Sequence, residues 1–207
     1  MNGLRRQPLL AVLRPDSLEQ ARLQLEQMQG QGIAHVELAV QLSAQWVDMV
    51  RRLRGDFPGL RLGAASVRCA DGLEASLAAG LGYAVSPILD RALLQQAAAA
   101  SITLVPGVFS PTEIVAALNW GAPAVKLFPA AVLGPAYWSA LAGPLGPLPF
   151  CIAAGGLSAA TAPSWFTAGV DAVALGGSLF DQSPEGPRLQ PGVSDLLAWL
   201  PTRSRTA

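Results

Sequence analysis

Lysine is almost missing from this chain: of its 14 Lys and Arg residues, Lys126 is the only lysine. Charged residues make up only 14% of the 207 positions and sum to zero, and the arginines are scattered apart from Arg51, Arg52 and Arg54, which read as a solvated helix face. A chain so poor in clustered positive charge has no nucleic-acid footprint. Histidine occurs once, at His35, with no cluster of Asp or Glu beside it. A zinc mechanism therefore has almost no ligands to draw on, and neither a metal nor a cofactor is expected. The two cysteines, Cys69 and Cys151, form no CxxC pair; this argues against a disulfide scaffold and suits a reducing cytoplasm.

Long apolar runs are missing too. Arg5-Arg6 precede Leu9-Leu10-Ala11-Val12-Leu13, but Arg14-Pro15 end that run after five residues, too short for a secretory core or a twin-arginine signal. Residues 127–170 carry no charge, yet Pro129, Pro135, Pro144, Pro147, Pro149 and Pro163 interrupt them, so no span of about 20 apolar residues suits a membrane.

What is present is a 51% hydrophobic chain in which short β-like runs alternate with helical patterns. Strands are predicted at 9–13, 33–38, 60–64, 83–86, 102–105, 124–128, 149–153 and 172–175. Helices are predicted at about 17–29, 43–54, 70–79, 90–99, 110–119, 134–142, 158–168 and 192–200. Ser17, Ser43, Asp90, Ser110 and Ser158 stand as caps, and Gly30, Gly80, Gly121, Gly143 and Gly169 as stops. Eight β/α repeats without a linker describe one domain over 1–207, an α/β (β/α)8 TIM barrel. A doubly wound open sheet is the alternative, and the even spacing favours closure. Residues 181–192 read as a Pro- and Gly-rich loop, and the tail from about 202 is expected to be loose.

Chemistry in a parallel barrel gathers at the carboxyl ends of the strands. Lys126 lies in Ala124-Val125-Lys126-Leu127-Phe128-Pro129, where desolvation would free its amine to attack a carbonyl and form a Schiff base. The alternative is a core-edge lysine whose head snorkels out. Glu37 sits in an equally apolar run, so burial should raise its pKa and fit it to move protons; a buried ion pair bracing the barrel is the structural alternative. Arg14, Ser66 and Ser86 fall at or after strands 1, 3 and 4, while Gly155-Gly156 and Gly176-Gly177-Ser178 follow strands 7 and 8, where barrels often bind phosphate through backbone N–H groups. Ordinary tight turns would explain the same glycines. Phe128 shares Lys126's alternation and can wall the same pocket or simply pack, whereas His35 reads as a structural strand-end residue.

These segments resemble the class I aldolases of 2-keto-3-deoxy-6-phosphogluconate and 4-hydroxy-2-oxoglutarate, with local patterns closest to the 2-keto-3-deoxy-6-phosphogalactonate type. The resemblance runs from about Pro8 to Phe180 and is most specific in Val125-Lys126-Leu127-Phe128-Pro129-Ala130 continuing to Gly134-Pro135-Ala136-Tyr137. Leu9 to Arg14, Val36-Glu37-Leu38, Gly63-Ala64-Ala65-Ser66-Val67 and Val105-Pro106-Gly107 support it. It implies that Lys126 forms the imine with a 2-keto group, that Glu37 shuttles protons partly through a water, and that Arg14 holds a substrate carboxylate or a nearby oxygen. It further implies that the glycine loops and Ser178 cradle a phosphate, and that the enzyme is a homotrimer.

Three positions depart from the family pattern. Gln41 stands where phosphogluconate-type members carry a carboxylate-binding arginine, Ala154 replaces a threonine, and Gly63-Ala64-Ala65-Ser66-Val67 replaces Gly-Ala-Gly-Thr-Val. The expected activity is cofactor-independent cleavage of a 2-keto-3-deoxy-6-phospho sugar acid to pyruvate and an aldehyde phosphate. One alternative is an unphosphorylated keto-acid lyase, either a 4-hydroxy-2-oxoglutarate aldolase or an oxaloacetate decarboxylase. The other is a barrel that binds a phosphorylated metabolite without turning it over. The expected partners are a small keto acid and further copies of the chain, with no nucleic acid and no membrane.

Overall fold

A computed structural model of the chain describes residues 2–181 and 186–200. The tail from about 202 lies outside the described residues. Nine short strands, β1 (Leu9–Leu13), β2 (His35–Ala39), β3 (Arg61–Ala65), β4 (Tyr83–Val85), β5 (Thr103–Val105), β6 (Gly107–Val108), β7 (Val125–Leu127), β8 (Cys151–Ala154) and β9 (Ala172–Leu175), form one parallel sheet. Its spatial order is β5-β4-β3-β2-β1-β9-β8-β7-β6.

The two ends of that order are one stave of the chain. Pro106 lacks an N–H and directly follows the fifth predicted strand, yet the stave continues past it: β5 pairs with β4 below the proline and β6 pairs with β7 above it. Ser86 N–H donates to the Val105 carbonyl, Gly107 N–H to Ile88, and Lys126 N–H to Pro106 at 2.8 Å. The split stave thus joins both edges and the ring of eight closes. Closure explains the apolar character of the strands, because both faces are buried. Val125 and Leu127 face the helices as part of the main core, whereas Ala124 and Phe128 join Leu10, Val85, Val105 and Ile152 inside the barrel. Lys126 shares that inward alternation.

Outside the barrel run α2 (Leu18–Gly30), α3 (Ala44–Asp56), α4 (Ala70–Ala78), α5 (Arg91–Ala99), α6 (Pro111–Asn119), α10 (Ala162–Thr167) and α11 (Pro191–Trp199). Ser17, Ser43 and Asp90 accept the expected cap bonds, and Ser110 with Glu113 forms a reciprocal capping box. One element is new and four expectations are corrected. A short helix, α1 (Asn2–Arg6), precedes β1 and seats Leu4 in the barrel interior. The helix expected at 134–142 is two pieces, α8 (Pro135–Ala140) and α9 (Ala142–Leu145), which break at Leu141, and a further short helix, α7 (Ala130–Leu133), ends ahead of them at Gly134, which takes φ 77°. Gly30 and Gly143 lie inside helices; the left-handed stops are Gly32 and Gly146. Ser158 exchanges bonds with Thr161 in a turn instead of capping a helix that starts at 158. Within the expected loop 181–192, β10 (Phe180–Asp181) pairs antiparallel with β11 (Arg188–Leu189).

Candidate active site

The carboxyl-terminal mouth of the barrel opens into a cavity of about 340 Å³. Val12 and Arg14 from β1 and its exit, Lys126 and Phe128 from β7 and its exit, Ala154 and Ala174 from β8 and β9, and Gly155–Ser158 and Gly176–Ser178 from the loops line it. Lys126 and Arg14 are its only cations among the described residues. Expected residues from four separate segments therefore meet in one space.

Lys126 is only 7% exposed. Its Nζ lies 4.6 Å from the centroid of the Phe128 ring, which neighbours it on one side. Burial pulls its pKa below the ordinary lysine range; Glu37 opposes that shift and Arg14 adds to it. Glu37, 1% exposed, projects inward from β2, four staves from β7 by either route around the barrel and so directly across from it. Burial raises its pKa to about 7, against the pull of Lys126 and then Arg14. Its Oε1 has no hydrogen-bond partner, and no ion pair joins it to Lys126 among the described residues. A carboxyl and an amine each biased toward neutrality, and not locked to one another, are free to exchange protons with something placed between them.

Glu37 and Ser66 do not line the cavity itself. Ser66 adopts φ 60° just after β3, and its hydroxyl accepts from Arg14 Nη2 at 3.4 Å. It therefore orients the arginine. Ser86, buried, accepts from the Ile88 N–H in a turn after β4. His35 lies lower in the barrel, below its usual pKa because of burial, with a backbone hydrogen bond to Gly3 opposing that shift.

The loops after β8 and β9 are shaped for close approach. Gly155 takes φ 93°, and a Cβ there would meet the Phe128 ring at 2.9 Å; Gly156 takes φ 76° against the Ala131 methyl. Gly177 faces open space. Ser178 Oγ donates to the Leu157 carbonyl at 2.7 Å and ties the two loops together. Among the described residues the backbone N–H groups of Gly156, Gly177 and Ser178 make no backbone bond. Leu157 and Ser158 also line the cavity; sequence reading missed them because Ser158 passed for a helix cap. Tyr83 went unnoticed as well. Its ring occupies the space a Cβ at Gly63 would need, and its hydroxyl donates to the carbonyls of Arg61 at 3.3 Å and Val36 at 3.4 Å.

Gln41 does not face the catalytic cavity. It lines a separate groove with Pro15, Trp46 and Arg52. Ala154 does line the cavity and presents only a methyl there. Among the described residues no three His, Cys, Asp or Glu side chains gather as a metal site, and no helix is long and apolar enough to cross a membrane.

A parallel barrel with a desolvated lysine and a protonatable carboxyl at its carboxyl-terminal mouth is equipped as an aldolase of the imine-forming kind. The family model for KDPG and KHG aldolase matches residues 1–186. The chain is 30% identical over 152 residues to the 2-dehydro-3-deoxy-phosphogluconate aldolase of Dickeya dadantii (strain 3937), covering 73% of this chain and 70% of that one. It is 28% identical over 174 residues to the 2-dehydro-3-deoxy-6-phosphogalactonate aldolase of Escherichia coli (strain K12), 84% of each chain. A Legionella pneumophila KDPG aldolase, solved with pyruvate captured at low pH as a covalent carbinolamine intermediate, superposes with a TM-score of 0.77 at 26% identity, over 93% of this chain and 91% of that one. The chain belongs to the KDPG and KHG aldolase family.

Proposed function

We propose that this class I aldolase cleaves a 2-keto-3-deoxy-6-phospho sugar acid to pyruvate and an aldehyde phosphate, with Lys126 as the nucleophile and Glu37 as the proton carrier. The neutral amine of Lys126 adds to the 2-keto carbon. Glu37, protonated near neutral pH, supplies the proton with which the carbinolamine oxygen leaves as water, and the resulting iminium draws electrons from the C3–C4 bond. The Glu37 carboxylate then takes the C4 hydroxyl proton as that bond breaks, releasing the aldehyde and leaving an enamine. Protonation at C3 and hydrolysis return pyruvate and free Lys126. Because Glu37 is buried and does not itself line the cavity, a water carries these protons part of the way.

Arg14, the one other cation on the cavity among the described residues, takes the substrate carboxylate, since Gln41 lines another groove. The unpaired N–H groups of Gly156, Gly177 and Ser178 receive the 6-phosphate. The observation that carries this reading is the sole lysine of the chain, desolvated directly across the barrel from an unpartnered, desolvated carboxyl. It is tested by kcat/KM for keto acids with and without a 6-phosphate. The phosphorylated substrate is expected to be favoured at least tenfold, because remote binding energy is used at the reacting centre. Gly177→Asp, whose side chain would enter the open space, is expected to erase that preference while sparing oxaloacetate or 4-hydroxy-2-oxoglutarate. Equal rates for both substrates in the unaltered protein would assign the site to a small unphosphorylated keto acid.

Self-association as a homotrimer in the cytoplasm belongs to the same reading. The uncharged 134–142 segment gives it little support, because Trp138 is buried and the Tyr137 hydroxyl is bonded to the Phe109 carbonyl at 2.7 Å. The support comes from its flanks: Val132 is 75% exposed, and Phe109 and Ile88 are exposed on the neighbouring loops. Light scattering at micromolar concentration is expected to give three times the mass of the chain; a monomer would remove this part of the reading.

A further inference from the structure

The end of the barrel opposite the catalytic mouth holds a larger cavity, about 440 Å³. Gly3 and Leu4 of α1 form part of its wall, and its apolar depth is the buried layer Leu10, Val85, Val105 and Ile152. Its mouth is built differently. Arg54 and Arg61 stand there with His35, and among the described residues no Asp or Glu is part of the lining.

The acids that could have neutralised these arginines are engaged elsewhere or absent. Asp56, two residues from Arg54, pairs with Arg22 at 2.6 Å, and Asp48 pairs with Arg51. Arg54 spends one donor, Nη1, on the Ala79 carbonyl at 3.2 Å and has no carboxylate partner among the described residues. The Arg61 guanidinium has neither a hydrogen bond nor an ion pair among the described residues, although its own backbone carbonyl is fixed by Tyr83. Burial favours the neutral form of His35, so among the described residues the two guanidinium groups set the charge of this mouth.

We propose that this amino-terminal cavity is a second ligand site, which takes a small monocarboxylate with an apolar body. Its carboxylate lies on the Arg61 and Arg54 forks and its tail lies over Leu10, Val105 and Ile152. Guanidinium forks match a carboxylate in two parallel hydrogen bonds. A sugar phosphate fits poorly, because its hydroxyls would be desolvated against aliphatic side chains that offer no hydrogen bond. The volume lies within the range of small-molecule sites. The ligand is distinct from the substrate of the catalytic mouth, since the two cavities lie at opposite ends of the barrel and share no lining residue.

The test is calorimetric titration of the full chain with hexanoate, hexanol and inorganic phosphate. Hexanoate is expected to bind with a dissociation constant of about 1 mM or tighter, with no measurable heat from the other two. Arg61→Gln is expected to weaken hexanoate at least tenfold, while aldolase turnover at the unaltered level certifies its fold. Gly82→Leu should block the mouth without strain, because a Cβ there meets nothing within 4 Å. Arg14→Gln, which alters the catalytic cavity only, should leave hexanoate binding unchanged. Hexanoate binding that survives both Arg61→Gln and Gly82→Leu, that disappears in Arg14→Gln, that hexanol matches, or that is absent at about 10 mM would overturn the proposal.

Discussion

Lys126→Met is expected to abolish turnover, by roughly 10⁴-fold or more, which is the scale of removing the attacking group from a covalent mechanism. The variant should fold at least as well as the unaltered protein. Lys126 is 7% exposed and its charged form is disfavoured by burial, so a thioether of similar length removes a desolvation cost and keeps the packing against Phe128. Loss of activity together with an undiminished melting temperature therefore isolates chemistry from structure. The complementary measurement is trapping: pyruvate with borohydride is expected to add one covalent pyruvyl group to the unaltered chain, located by peptide mass at Lys126, and none to Lys126→Met. An adduct elsewhere, or turnover retained by the variant, would require a different nucleophile.

Much of this arrangement was legible because the barrel imposes a simple code. Each short apolar run had to be a stave buried on both faces, so a charged residue inside one, Lys126 or Glu37, had to point into the barrel or be an error of assignment. Capping signals at Ser17, Ser43, Asp90 and Ser110 then separated the staves, and the strand-end rule collected Arg14, Gly155, Gly156, Gly176, Gly177 and Ser178, which the structure brings to one cavity. What escaped is three-dimensional register. Alternation along a strand says which face a side chain takes but not its depth, so Glu37 and Ser66 were expected on the wall and lie behind or beside it. Pro106 looked like the end of a strand, yet the chain continues past it to pair with the other edge of the sheet. Tyr83 could not be placed either, because its role depends on Gly63 of a neighbouring strand having no side chain.

The family-pattern departures acquire a physical meaning in the same way. A glutamine replacing a carboxylate-binding arginine would cripple the site if position 41 faced it. Gln41 instead lines a groove beside Pro15 and Arg52, and in the function proposed above Arg14, bonded to Ser66, takes the carboxylate. Ala154 removes a hydroxyl from the cavity wall and leaves space there, so the departures bear on how the substrate is held and not on the imine itself.

Glu37→Gln is expected to lower turnover by about 10² to 10⁴, the usual contribution of a positioned acid-base group, and to raise stability at neutral pH. The first effect follows because the amide keeps the shape of the carboxyl but cannot give and take the proton. The second follows from the direction of the pKa shift. The Glu37 carboxyl titrates at about 7 in the folded protein and at about 4.5 when exposed, so between those values the unfolded chain is deprotonated while the folded one is still neutral. Folding then takes up a proton, and stability falls as pH rises through this window by about 3 kcal/mol in all. The neutral form contributes fully below pH 4.5 and is lost above about 7. Glutamine has nothing to lose, so the melting temperature of the variant should match that of the unaltered protein in acid and exceed it by several degrees at pH 8. Removing the carboxylate also removes the one influence that raises the Lys126 pKa, which favours the neutral amine further. Imine formation with pyruvate should therefore survive in Glu37→Gln while aldol cleavage fails, a separation read by borohydride trapping against turnover. A variant that is slower but no more stable at pH 8 would mean that Glu37 is already ionised and paired in the folded protein. One that is more stable but fully active would assign the proton transfers to another group.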